Sequence, residues 1–205
     1  MHRIVVGVSL ALLGAMTVAC TAESSRSIAA GGSALASSSP SQGASQGPPD
    51  LTHTFTSPLM GYTVDYPDGW TPEVATELWV AGASNYWDDP VGDRIESVAA
   101  GFRGTSQALA EGQTADQWLE DYLASAPTDC GEREQVVVDG QTATIDLNGC
   151  KGLGRLGGRV FDLVVIAGDR GYNFTMEGDV DHALLLAMLA TVSLDPAGAK
   201  ASTSP

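Results

Sequence analysis

The sequence predicts an α+β fold, an antiparallel sheet with helices packed on it. Three observations predict it. Strand-like stretches separated by hairpin turns dominate the middle of the chain. Only two stretches carry apolar residues at helical spacing. Alternating strand–helix units, which a parallel nucleotide-binding sheet needs, are absent.

Taken in order, Tyr62, Val64 and Tyr66 alternate with Thr63 and Asp65, giving a strand with one buried and one wet face. Pro67-Asp68-Gly69 then turns the chain. Trp70 to Val80 and Arg94 to Arg103 are further strand candidates, with Gly82 to Gly92 between them as a long polar loop. Thr114-Ala115-Asp116-Gln117 opens a helix, because Thr114 can cap it and Gln117 can close a capping box. Trp118, Leu119 and Tyr122 share one side of that helix, Leu123 adjoins them, and Pro127 stops it. Gln135 to Val138 and Gln141 to Leu147 form a hairpin around Asp139-Gly140. Val160 to Ala167 and Tyr172 to Met176 form a second around Gly168-Asp169-Arg170-Gly171. A helix from about Asp179 to Thr191 closes the domain, with Leu184, Leu185, Met188 and Leu189 as its buried stripe. Trp70, Trp79, Trp118 and Tyr122 are assigned to the core.

The chain has 205 residues and a formal net charge of −15. Residues 1–19 read as a signal peptide: Arg3 supplies the positive start and residues 4–19 are uncharged and mostly apolar. The run ends at Thr17-Val18-Ala19-Cys20, which resembles a bacterial lipobox, with Thr17 where that pattern prefers Leu. Cys20 is then a lipidated first residue, and the protein is held on the extracytoplasmic face of the cell membrane. Ordinary cleavage after Ala19 or Ala22, giving a secreted protein, stays open, as does a retained anchor. Residues 20–50 form a Ser/Ala/Gly tether that cannot bury enough surface to offset its ordering entropy. Residues 51–196 form the globular domain, and 197–205 read as a disordered tail. Counted from Asp50 to Pro196, that region holds 24 acidic and 7 basic residues, a charge of −17. Such a surface excludes a protein built to neutralise nucleic-acid phosphates.

Two cysteines remain beyond Cys20. The Asp139-Gly140 turn pairs Val138 with Gln141, and extending that ladder puts Cys130 opposite Gly149. A one-residue bulge brings Cys130 and Cys150 together, and outside the cytoplasm such a pair oxidises and persists. A metal or redox pair would need a C-x-x-C spacing or a nearby His, and neither is present.

Few residues point to chemistry. His53 and His182 are the histidines left after signal removal, and neither has a nucleophile or metal partner nearby in sequence. Gly43 to Gly47 matches the G-x-S-x-G elbow of hydrolases, but no strand precedes it and no helix follows. Gly152 to Gly157 matches G-x-G-x-x-G without the helix start that binds phosphate; Lys151, Arg155 and Arg159 make it a basic connector instead. Asp88, Asp89 and Asp93 surround a Pro-Val-Gly turn and are calcium candidates, though a solvated acidic loop explains them as well. Tyr86 and Trp87 on the same loop are candidate partner contacts, or fold back to cap the sheet. No cofactor is indicated.

The stretch Gly61-Tyr62-Thr63-Val64-Asp65-Tyr66-Pro67-Asp68-Gly69-Trp70 resembles the opening of PsbP-like domains: an aromatic strand, Tyr-Pro, a turn Gly and a Trp. Leu189 to Pro196 is similar to their final helix and last short strand, and Asp139 to Ala143 and Arg170 to Phe174 resemble internal hairpins of that group. The resemblance spans nearly the whole domain and extends to actinobacterial lipoproteins of the LpqN type. It implies an α-β-α sandwich and a binding or accessory role, and it carries over no functional residue. The sequence thus points to a surface-anchored, non-enzymatic binding or accessory module for an envelope protein or a small apolar ligand. The alternatives are an extracytoplasmic hydrolase using His53 or His182, and a calcium-responsive domain.

Mass spectrometry of the oxidised chain is expected to show the loss of two hydrogens across Cys130 and Cys150. Cys150→Ser is expected to cost about 3 kcal/mol of unfolding free energy, read by urea titration.

Overall fold

The computed structural model describes residues 50–79, 87–125, 132–146, 150–151, 156, 158–180 and 182–200. Its elements run β1 (Leu51–Thr56), β2 (Tyr62–Pro67), β3 (Thr71–Glu73), β4 (Asp93–Glu96), β5 (Ala100–Ala108), α1 (Ala115–Ser125), β6 (Arg133–Val138), β7 (Gln141–Asp146), β8 (Cys150–Lys151), β9 (Arg159–Ala167), β10 (Arg170–Gly178), α2 (His182–Ala190) and β11 (Ser193–Leu194). The fold is α+β. A large antiparallel sheet has the order β3-β4-β5-β10-β9-β7-β6, with β8 also pairing β9, and a small one has the order β1-β2-β11.

Alternation along the central strands sorts the large sheet into two unlike faces. Phe102 of β5, Phe161, Leu163 and Val165 of β9, and Tyr172, Phe174 and Met176 of β10 point to one side. They share a core with Tyr62 and Val64 of β2 and with Leu185, Met188 and Leu189 of α2. Phe174 is central to it, meeting Tyr62 edge-on at 5.2 Å and stacking near Phe102 at 5.7 Å. The other face carries Arg103, Thr105, Gln107, Asn173 and Glu177, all buried, and α1 packs over it. There Trp79, Val91 and Trp118 form a separate apolar cluster.

Glycines let aromatic rings settle onto both faces. A Cβ on Gly104 would lie 2.3 Å from the Tyr62 hydroxyl, and one on Gly171 2.3 Å from Cζ2 of Trp118. Each strand position is therefore a notch for a ring that descends from another layer.

Several elements match their sequence signals. The capping box forms: the Thr114 N–H donates to Gln117 Oε1 at 2.9 Å, and the Gln117 N–H donates to Thr114 Oγ1 at 3.2 Å. The Asp139-Gly140 turn pairs Val138 with Gln141, with φ of 48° and 76° at its two residues, as a type I′ hairpin requires. The α2 stripe buries Leu185, Met188 and Leu189, with Leu184 packed beside them.

Others differ. The strand expected from Arg94 to Arg103 is a hairpin: the Ser97 N–H donates to the Ala100 carbonyl at 2.8 Å, and Val98 at the tip is fully exposed. The strand expected from Trp70 is only Thr71–Glu73, after which Thr76 and Glu77 donate to the Pro90 carbonyl rather than to a ladder. Arg170 and Gly171 belong to β10, so the turn before them is just Gly168-Asp169. Leu51–Thr56 pairs with β2 as a strand that no sequence pattern announced. The tail expected from Ala197 is docked as far as Lys200, whose N–H donates to the Leu59 carbonyl and whose carbonyl accepts from buried Arg170, each at 3.0 Å. Anchoring by a buried guanidinium overrides a composition that reads as disordered.

Gly171→Ala is expected to drive a methyl into the Trp118 ring and destabilise the domain by about 1–3 kcal/mol. A urea midpoint equal to wild type would show that Trp118 can withdraw freely.

Candidate functional site

The polar face of the large sheet beneath α1 is the richest concentration of chemistry in the described residues. Its centre is Asp162 of β9. The Asp162 Oδ1 accepts from Asn173 Nδ2 at 2.5 Å and from Thr175 Oγ1 at 3.0 Å. Its Oδ2 accepts from the Tyr122 hydroxyl at 3.3 Å. The register places Thr175 directly opposite Asp162, so adjacent strands deliver both groups to one side of the sheet. Tyr122 comes from α1, one turn after Trp118. Its ring stacks on Trp118 at 5.4 Å and meets the edge of Trp79 at 6.1 Å. Trp118 in turn donates through Nε1 to Gln107 Oε1 at 3.2 Å. The helical spacing of Trp118 and Tyr122 thus serves two purposes, apolar cover and delivery of a hydroxyl to the sheet.

Charges flank this centre on both sides. Arg133 of β6 donates through Nε to Asp146 Oδ1 of β7 at 3.2 Å. Arg103 of β5 is 2% exposed and feels Asp89 and Tyr122. Burial pushes the Asp162 carboxyl above the ordinary aspartate range, against the hydrogen bonds from Asn173 and Thr175. Burial raises Asp146 too, opposed by Arg133. The Tyr122 hydroxyl is driven well above the usual tyrosine value by burial and by Asp162. At neutral pH Tyr122 is therefore a donor and not a base. Leu123, Arg133, Thr144, Asp146, Asp162 and Val164 line a cleft of about 10 Å³, room for a single water.

Outside this seam, an open hollow of about 410 Å³ volume lies at the start of α1, lined by Glu111, Gln113, Gln117, Glu120 and Asp121.

The sequence-derived candidates are dispersed. Trp87 folds back on the sheet: its Nε1 donates to Glu96 Oε1 at 2.5 Å and its ring lies over Gly101. Tyr86 lies outside the described residues. Asp88 accepts from Arg94 Nη1 at 3.1 Å on the polar side. Asp93 points the other way in β4, fully buried, with Oδ1 accepting from the Ala75 N–H at 2.7 Å. With Asp89 beside Arg103, the three carboxylates do not converge. Among the described residues no group of three His, Cys, Asp or Glu is placed to hold a metal ion. His53 pairs with exposed Asp68 at 3.1 Å and stacks on Tyr66, while His182 opens α2 against the Phe161 ring. Cys20, Cys130 and the side chain of Cys150 lie outside the described residues; Cys150 itself pairs with Val160 in β8.

Sequence reasoning missed Asp162, Asn173, Thr175 and Asp146. The available signal was the alternation of Asn173, Thr175 and Glu177 with apolar residues in β10, and Asp162 as a lone polar residue among the apolar ones of β9.

No protein-family model and no curated protein matches the chain. A crystal structure of a protein from Bacteroides thetaiotaomicron is similar over 74% of this chain, at 13% identity and a TM-score of 0.40. This chain spans 51% of that protein's length.

The raised Asp162 carboxyl makes stability pH-dependent with a defined sign. The folded protein retains a proton that the unfolded chain releases as pH rises. The contribution from this group is therefore complete below the ordinary aspartate pKa and is lost as pH rises through the folded value. Asp162→Asn keeps an acceptor for Asn173 and Thr175 but has nothing to ionise. In urea titrations wild type is expected to fall behind the variant as pH rises from acid toward neutral; a constant difference across that range would show that Asp162 ionises normally.

Proposed function

We propose that this protein is an extracytoplasmic lipoprotein, anchored through Cys20, whose PsbP-like domain acts as a non-enzymatic binding or accessory module for another envelope protein. The observation that carries this reading is the seam beneath α1. Asp162 is occupied by three donors from Tyr122, Asn173 and Thr175, and Asp146 by Arg133. Groups so engaged support the fold instead of waiting for a substrate. The space left there suits one water, which favours a protein partner over a small apolar ligand held between sheet and helix. The strongly acidic surface adds long-range steering toward a basic partner.

Native mass spectrometry of the protein extracted gently from its host membranes tests this. The expected result is lipid on Cys20 and a reproducible protein adduct. Release of Cys20→Ser into the medium would accompany it. Hydrolysis of an ester or amide panel that disappears in His53→Ala or His182→Ala, with the fold intact, would overturn the non-enzymatic reading.

A further inference from the structure

Arg170 of β10 is 4% exposed, and among the described residues no carboxylate lies within ion-pair distance of it. Neutral oxygens hold its guanidinium instead. Nη1 donates to Ser106 Oγ and Nη2 to the Lys200 carbonyl, each at 3.0 Å. The Ser106 hydroxyl is itself committed, donating to the Met60 carbonyl at 2.8 Å. Nε is buried and meets no hydrogen-bond partner among the described residues. A cation taken out of water without an anion is costly. The Nε–H and one Nη2–H of a guanidinium run parallel along one edge, the edge that a carboxylate grips with both oxygens. In this protein one neutral oxygen occupies half of that edge.

That oxygen belongs to the end of a docked strap. After β11 the Asp195 N–H donates to the Gly61 carbonyl at 2.8 Å, and the Gly198 N–H turns back onto Asp195 Oδ1 at 3.0 Å. The Lys200 N–H then donates to the Leu59 carbonyl at 3.0 Å. A Cβ on Gly61 would lie 2.8 Å from Ala199 Cβ, so the strap sits hard against the turn between β1 and β2. Lys200 is thus pinned through both its N–H and its carbonyl, yet the residue stays exposed. It is one of two lysines in the chain, the other being Lys151. The sequence after it, Ala201-Ser202-Thr203-Ser204-Pro205, has no charged and no large apolar side chain.

We propose that Lys200 is a processing site: a protease that cuts after lysine hydrolyses the Lys200–Ala201 bond, and the carboxylate so made locks onto the Nε–Nη2 edge of Arg170. The reaction consumes one water. Its hydroxyl goes to the Lys200 carbonyl carbon and its hydrogen to the Ala201 nitrogen, and at neutral pH the new acid passes its proton to the new amine. A second oxygen then stands where the Ala201 nitrogen was. Freed from the chain beyond, the group can turn both oxygens onto the guanidinium. A single bond to a neutral carbonyl becomes a two-bond ion pair in a buried place, where charge-assisted bonds are strongest. Backbone hydrogen bonds at the end of a chain open locally at low cost, so a protease can lift Lys200 without unfolding the domain. Cleavage here would fasten the strap instead of loosening it.

The test uses the full chain carrying Lys151→Arg, in nonionic detergent, so that a lysine-specific endoprotease has a single site. The expected result is cleavage of the folded protein to a chain ending at Lys200, with melting raised by about 3–6 °C. The Arg170 Nε–H proton should also become slower to exchange. A carboxypeptidase that removes terminal lysine should then cancel the rise, because a carboxylate on Ala199 no longer reaches Arg170. Arg170→Lys keeps the charge but not the two-donor edge, and its melting should not rise on cleavage. If that variant fails to fold, the carboxypeptidase step distinguishes the carboxylate from mere loss of the residues beyond Lys200. Resistance of the Lys200–Ala201 bond in the folded protein, unchanged melting after cleavage, or a rise that survives removal of Lys200 overturns the proposal. So does a chain isolated from its host that continues past Lys200.

Discussion

The paired ladders joining β5, β10 and β9 are the constraint on which the rest of the molecule depends. Each of the three strands is nine residues long, and β10 is in register with both neighbours from Arg170 to Gly178. Strands held in the middle of a sheet present two faces, and neither is left to water here. One face is aromatic and aliphatic, and it is covered by the small sheet and α2. The other carries Arg103, Asn173 and Glu177, and it needs a cover that supplies hydrogen bonds as well as apolar area. Helix α1 meets both demands, because Trp118 fills the notch at Gly171 while Tyr122 reaches Asp162.

This division explains the unusual polarity of the interior. A buried carboxyl such as Asp162 is costly unless donors surround it, and its donors come from β10 and α1. The network therefore locks the helix onto the sheet at one position. Its raised protonation preference is a consequence of that burial. Asp93 repeats the arrangement on the opposite face, where the Ala75 N–H ties the segment after β3 to β4. Polar groups placed this way act as registration points between layers.

Legibility in the sequence followed the range of the interaction. The capping box at Thr114 and Gln117, the Asp139-Gly140 turn and the stripe of α2 involve residues two to four positions apart, and each forms as its pattern predicts. The break at Ser97 has no sequence signal because Ile95 to Arg103 has no Pro or Asn-Gly to mark it; the pairing of Glu96 with Gly101 and the Ser97 N–H to Ala100 carbonyl bond reveal the turn. The acidic loop read as a candidate site for the opposite reason. Asp88, Asp89 and Asp93 are close in sequence, yet strand alternation sends Asp93 through the sheet and leaves Asp88 on Arg94. The candidate seam was legible only on its helical side, through Trp118 and Tyr122.

By itself the sequence determined the α+β class, the start of α1, two of the hairpins and the strongly acidic balance, all of which rest on local spacing and composition. Tertiary structure alone decided that β10 pairs on its other side with β5, that Tyr122 meets Asp162, and that residues to Lys200 are held by Arg170. Those contacts join residues 30 to 78 positions apart. The physical reason is that such contacts depend on which strands become neighbours. That choice is made by packing two unlike faces at once, and no short window of residues encodes it.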